Sequence, residues 1–293
     1  MRRLTAGAAF TLLAALAVVA PTSAAGASTT APPPFDTALG GSGSVGFQPT
    51  FAHPHGQPTG SGYADDLAAR EATRWPGLTL VRMGCPGMTT QTMIGGRGHC
   101  SYEAGSQLQT ALSFLRTHPS TVLVTVDLGF NDVVSCLHHM EVRAECVDSA
   151  LATVQSQLPQ ILRALRQAAP AGARLIGVGH YDPFLGDAVR GPVGQAFAQA
   201  SLGIIDRLNA VLRAAYAQAD MPMADVAAAF QLHDTSPVHV PGLGTVPTNV
   251  ARACALTWMC MPRPLGPNSH PNDNGYRVVS DAIAAALASP APH

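Results

Sequence analysis

The chain has 293 residues, 17 Lys plus Arg against 18 Asp plus Glu, a net charge of −1 and 47% hydrophobic content. Near-zero charge without a basic run or an acidic tail argues against nucleic acid or an anionic membrane surface as a partner and fits a small or neutral substrate. Lysine is absent and every cation is arginine, which removes Schiff-base chemistry, a phosphate-loop lysine and a Ser-Lys dyad.

In chain order, the basic Met1-Arg2-Arg3, the apolar stretch from Ala6 to Ala20 and the small residues Ala25-Gly26-Ala27 read as a secretory signal peptide over residues 1–27. The apolar run is short for a membrane span and no later run reaches about 20 apolar residues, so the mature chain is expected to be exported, with no integral membrane segment. Residues 28–34 form a short lead. With about 260 mature residues and neither linker nor repeat, one domain over 28–293 is expected.

Strand patterns fall at 36–40, 78–83, 121–128, 173–179 and 223–226. The third, TVLVTVDL, is a nearly continuous β-branched run of the kind buried on both faces of a parallel sheet. Helical patterns lie between and after them, at 64–74, 105–116, 147–168, 193–219 and 274–287, with Pro159 expected to kink or split the third helix. This alternation predicts an α/β, doubly wound, flavodoxin-like parallel sheet with helices on both faces, whose ligands bind beyond the carboxyl ends of the strands.

Six cysteines in an exported chain are expected to pair. Sequence alone allows about 15 connectivities. They fall as three close couples, and Cys85 with Cys100, Cys136 with Cys146 and Cys254 with Cys260 is the expected pairing. No C-x-x-C spacing or third histidine beside His53 and His55 or His138 and His139 points to a metal, so neither metal nor cofactor is expected.

The residues after the strands carry the chemistry. Gly40-Gly41-Ser42-Gly43-Ser44 follows the first strand, Gly84-Cys85-Pro86-Gly87 the second and Gly129-Phe130-Asn131-Asp132 the third, while Asn268-Ser269-His270-Pro271-Asn272 opens the last helix. Each alone is weak, since Gly-Ser clusters are mostly turns and a lone histidine is mostly structural.

Together and in order, these four segments resemble the blocks of the SGNH (GDSL-like) hydrolase family, in particular its secreted actinobacterial lipases and esterases. The resemblance implies a carboxylic ester hydrolase with Ser42 as nucleophile, His270 as base, and Ser42, Gly87 and Asn131 as oxyanion donors. A small-molecule or lipid ester is the implied substrate and a monomer the expected state. Two positions depart from the family pattern: Gly41 stands where an Asp precedes the serine, and Pro267 where an Asp stands three residues before the histidine. The Pro267 main-chain carbonyl is therefore the expected acceptor for the second ring nitrogen of His270, giving a Ser-His dyad. With an ordinary environment, the base should protonate near pH ~6.5. Phe47, Pro49, Phe51 and the Tyr181-Asp182-Pro183-Phe184-Leu185 loop are candidates to line an acyl site. The rival readings are a carbohydrate O-acyl esterase and a non-catalytic binding protein with a decayed site; an α/β-hydrolase would want its G-x-S-x-G serine later in the chain.

Overall fold

A computed structural model describes residues 31–289; the signal peptide reading lies outside these residues. The elements begin β1 (Phe35–Gly40), α1 (Tyr63–Glu71), β2 (Thr79–Arg82), α2 (Thr90–Gly95), α3 (Gln107–Thr117) and β3 (Thr121–Asp127). They continue with α4 (Phe130–Val134), β4 (Leu137–His138), β5 (Glu141–Val142), α5 (Ala144–Ala168), β6 (Arg174–Val178) and α6 (Pro192–Gln218). The chain then forms β7 (Met223–Ala224), α7 (Val226–Ala229), β8 (Pro237–Val240), β9 (Gly244–Pro247), α8 (Thr248–Leu256) and α9 (Asp273–Ala288).

Five strands make one parallel sheet in the order β2-β1-β3-β6-β7. Its core follows the period of two expected of strands buried on both faces. On β3, Val124 and Val126 face a cluster built from α3, α5 and α6, while Leu123 faces a second cluster built from α1, α7 and α9. Strand order reverses between β1 and β3, and the crevice at such a switch point is where doubly wound sheets bind ligands. Ser42 follows β1 and Asn131 follows β3.

The five helices patterned in the sequence form as α1, α3, α5, α6 and α9, with one difference. Helix α5 runs unbroken for 25 residues through Pro159. An interior proline costs about 3 kcal/mol. Val154, Leu158, Ile161, Leu162 and Leu165 are all fully buried along its inner stripe, and each such side chain contributes roughly 1.5–3 kcal/mol, which outweighs the lost hydrogen bond.

Two small antiparallel hairpins, β4-β5 and β8-β9, lie outside the sheet. Disulfides join Cys85 to Cys100, Cys136 to Cys146 and Cys254 to Cys260, with Cα separations of 6.0, 5.6 and 4.9 Å, the expected local pairing. Among the described residues, no helix is long and apolar enough to cross a membrane.

Candidate active site

The turn after β1 is wrapped tightly around the end of β3. Gly41 N–H donates to the Asp127 carbonyl at 2.9 Å, and a Cβ on Gly40, whose φ is 114°, would overlap that same carbonyl. A side chain on Gly43 would likewise overlap the Asp127 carboxyl. Gln107 clamps the turn from α3: its Oε1 accepts from Gly40 N–H at 2.8 Å and its Nε2 donates to Gly40 O at 3.1 Å. Ser44 Oγ closes the turn on Gly41 O at 2.7 Å. The result is a short 3-10 helix, Ser42–Val45, with Ser42 half-buried at its start.

Opposite stands His270, carried by the loop before α9. Its Nε2 lies 2.9 Å from Ser42 Oγ. Its Nδ1 lies 2.7 Å from Asn268 Oδ1, which also accepts from the His270 backbone N–H at 3.0 Å. That backbone donor identifies the facing amide end as oxygen, so Nδ1 carries the hydrogen and Nε2 is bare toward the serine. The Pro267 carbonyl expected in this role is therefore displaced. Asn268, two residues before His270, turns its side chain back onto the chain as asparagines do in such turns, and this puts its oxygen on the ring as well. Sequence reasoning missed it. An Asn at that offset was the available signal, though only a folded loop reveals its direction.

The loop holding the histidine is itself braced. Trp258 N–H donates to His270 O at 3.1 Å, and Tyr181 Oη donates to Ser269 O at 2.9 Å. Trp258 Nε1 and Asp273 Oδ1 both bind the Gln48 amide, at 3.1 and 2.8 Å. The Phe47 ring packs on His270 with centroids 4.8 Å apart. Burial among these groups, with no carboxylate beside the ring to counter it, pulls the His270 pKa from 6.5 down to about 4. This differs from the ordinary value expected from sequence, because the acceptor is a neutral amide in a packed site.

Asn131 lines the same cavity as Ser42 and His270. One hydrogen of its Nδ2 is donated to Met88 O at 3.1 Å, leaving the other for a ligand. Gly87, with a φ of 75°, stands exposed one residue before Met88 and is not among the cavity-lining residues. Asp132 does not approach His270. It ties the third turn to the second, accepting from Thr90 Oγ1 at 2.7 Å and from Thr90 N–H at 3.1 Å.

Asp127 and His180, a pair that sequence reasoning also passed over, line the same cavity as Ser42. Burial raises the pKa of the Asp127 carboxyl, opposed by His180 and by the Ser44 backbone N–H that donates to it. His180 Nδ1 is 3.8 Å from Asp127 Oδ1, and its Nε2 donates to Leu128 O at 3.0 Å. The cavity of about 110 Å³ between Ser42 and this pair is walled by Phe130, Val134, Val178 and Tyr181. Of the candidate acyl-site residues only Tyr181 lines it. Phe51 is 78% exposed and Leu185 lies in the core.

Residues 38–278 match the GDSL-like lipase/acylhydrolase family. The fold is similar to that of an extracellular lipase from Streptomyces rimosus, with a TM-score of 0.57 and 19% identity over 87% of this chain and 100% of that one. It is also similar to phospholipase A1 from Streptomyces albidoflavus, with a TM-score of 0.55 and 20% identity over 86% of this chain and 100% of that one. A third likeness is to the acetylxylan esterase Axe2 from Geobacillus stearothermophilus, with a TM-score of 0.50 and 14% identity over 88% and 95% of the two chains. No curated protein sequence matches this one. With the four motifs in family order and the family match running from the first strand into the last helix, the chain belongs to the GDSL-like lipase/acylhydrolase family and is a carboxylic ester hydrolase.

Proposed function

We propose that this chain is an exported, monomeric serine esterase whose nucleophile is Ser42, whose base is His270, and whose oxyanion donors are the Ser42 and Gly87 backbone N–H groups and Asn131 Nδ2. The observation that carries the reading is the 2.9 Å contact between Ser42 Oγ and His270 Nε2, beside Asn131 at the point where strand order reverses. In this mechanism Ser42 Oγ attacks the ester carbonyl as its proton passes to His270 Nε2. The negative charge that forms on the carbonyl oxygen is met by the free Nδ2 hydrogen of Asn131 and the backbone donors. Losing one such donor typically lowers kcat ~10²–10³-fold. The imidazolium returns its proton to the departing alkoxide, and water, activated by the same ring, then releases the acid.

Three disulfides support an oxidising destination, and residues 1–27 would supply the export signal. A decayed binding site is disfavoured by a nucleophile and base already in hydrogen-bond contact. The test is turnover of p-nitrophenyl acetate and butyrate by the purified protein in the presence of EDTA. Ser42→Ala is expected to lower kcat by ~10³-fold or more. Unchanged turnover in that variant would refute the assignment.

A further inference from the structure

Phe130, the first residue of α4 and the neighbour of Asn131, stacks on Phe184 between two spaces. On one side is the cavity of about 110 Å³ that holds Ser42, His180 and Tyr181. On the other is a groove of about 400 Å³ lined by Leu137, Met140, Phe184, Phe197 and Met259, with the Asp187–Arg190 ion pair, at 2.8 Å, on its border. The Phe130 ring lies 5.6 Å from the His180 ring on the cavity side and 6.4 Å from the Phe184 ring on the groove side, nearly parallel to the latter at 13°. The partition is thus two stacked rings, Phe130 lining the cavity and Phe184 lining the groove.

The groove is a built feature. Leu137 and Met140 sit on the β4-β5 hairpin that Cys136–Cys146 closes, and Met259 adjoins Cys260 of Cys254–Cys260. Arg190 also donates to Met259 O at 3.2 Å, tying its walls together.

Size decides what each space accepts. An enclosed apolar cavity of about 150 Å³ takes benzene, with six carbons, so the space beside Ser42 takes an acyl group of roughly four. A longer chain meets the Phe130 ring and must turn out into water, where further methylenes gain no burial. We propose that Phe130, backed by Phe184, is the residue that sets acyl-chain length in this hydrolase, confining the acyl group beside Ser42 and, with Phe184, closing it off from the disulfide-walled groove, so that esters of short acids are its substrates. This rests on Ser42 being the nucleophile.

The test compares kcat/KM over p-nitrophenyl esters from acetate to decanoate for the parent protein and Phe130→Ala. For the parent, kcat/KM is expected to rise to butyrate and then level or fall. In Phe130→Ala each methylene entering the space that the ring vacates adds up to about fourfold, so the octanoate-to-butyrate ratio is expected to rise at least tenfold. Because it is a ratio, a uniform loss from disturbing the adjacent Asn131 cancels. Val134→Phe, which fills the cavity from another wall, should instead lower butyrate relative to acetate, and it serves if Phe130→Ala does not fold. A parent that cleaves octanoate better than butyrate, an unchanged ratio in Phe130→Ala, or a shift seen only with acetate esters of longer alcohols would overturn the proposal. Turnover surviving Ser42→Ala would instead strike at the catalytic assignment.

Discussion

Replacing Asn268 is the sharpest probe of how His270 is held. Its Oδ1 takes two hydrogens, from His270 Nδ1 at 2.7 Å and from the His270 backbone at 3.0 Å. In serine triads, Asn in place of the acid lowers kcat by about 10⁴, because the wrong tautomer results. Here the backbone donor forbids that: a flipped amide would set its NH₂ against an N–H. Asn268→Ala removes the acceptor when Nδ1–H belongs to an imidazolium, and a hydrogen bond to a charged group contributes about 1.5–3 kcal/mol. kcat should therefore fall ~10–150-fold with KM little changed, measured on p-nitrophenyl butyrate at pH 8. Asn268→Asp keeps the acceptor and adds a charge, which favours imidazolium and should lift the acid limb of kcat/KM by roughly one to three pH units. An Asn268→Ala protein with more than half the parent kcat, or an Asn268→Asp protein with an unmoved acid limb, would show that something else orients the ring.

The same environment sets the pH profile. With the pKa of His270 pulled down to about 4, the base stays neutral and kcat/KM should hold down to about pH 4, and a limb near 6.5 would contradict the burial argument. Asp36, buried on β1 with neither carboxyl oxygen hydrogen-bonded, is pushed up to about 8, chiefly by burial and then by Glu71. The folded state thus keeps a proton that the unfolded chain releases near 3.8, and stability must fall as pH rises from about 4 to 8. Asp36→Asn removes that slope, so its advantage in urea melts should grow by about 3 kcal/mol from pH 5 to pH 7. An advantage independent of pH would refute this. Replacing Cys85 and Cys100 together opens a loop with a sequence separation of 15, worth about 3 kcal/mol in chain entropy. Tm should drop by roughly 6–12 °C in calorimetry, and an unchanged Tm would deny the loop that role.

Much of the fold was legible because burial and period coincide. TVLVTVDL reads as a two-faced buried strand and becomes β3, the centre of the sheet. The long amphipathic helices fell within a few residues of their patterns. The β4-β5 hairpin did not show, since two-residue strands such as Leu137–His138 have no period to read. Helix α8 did not show either, since its N-cap is Pro247, which has no side chain able to cap the first turn. The convergence of Ser42, Asn131 and His270 on one cavity was legible through the order of their turns, because strand ends converge. Asn268, Asp127, His180 and Phe130 were not, since each owes its place to a side-chain direction that spacing does not encode.

The two positions where carboxylates are missing turn out to be physically different. At Gly41 the lost acid is answered by an acid from the next strand. Asp127 is paired in register with Gly40, receives the Ser44 N–H, and fills the space that a side chain on Gly43 would need. The serine turn therefore retains a carboxyl brace, which reaches it from β3. Before the histidine, the lost acid is answered by a neutral amide, and no charge returns. Orientation and tautomer survive there, whereas the attraction that would stabilise an imidazolium does not. Burial, uncountered by such a charge, keeps the His270 ring unprotonated in mild acid, at the cost of a less stabilised proton on it during the proposed attack. In the proposed mechanism the charge separation must then be met mainly from the other side, by the oxyanion donors. Asn131 should consequently bear a larger share of the rate here than in a site with a carboxylate behind its histidine.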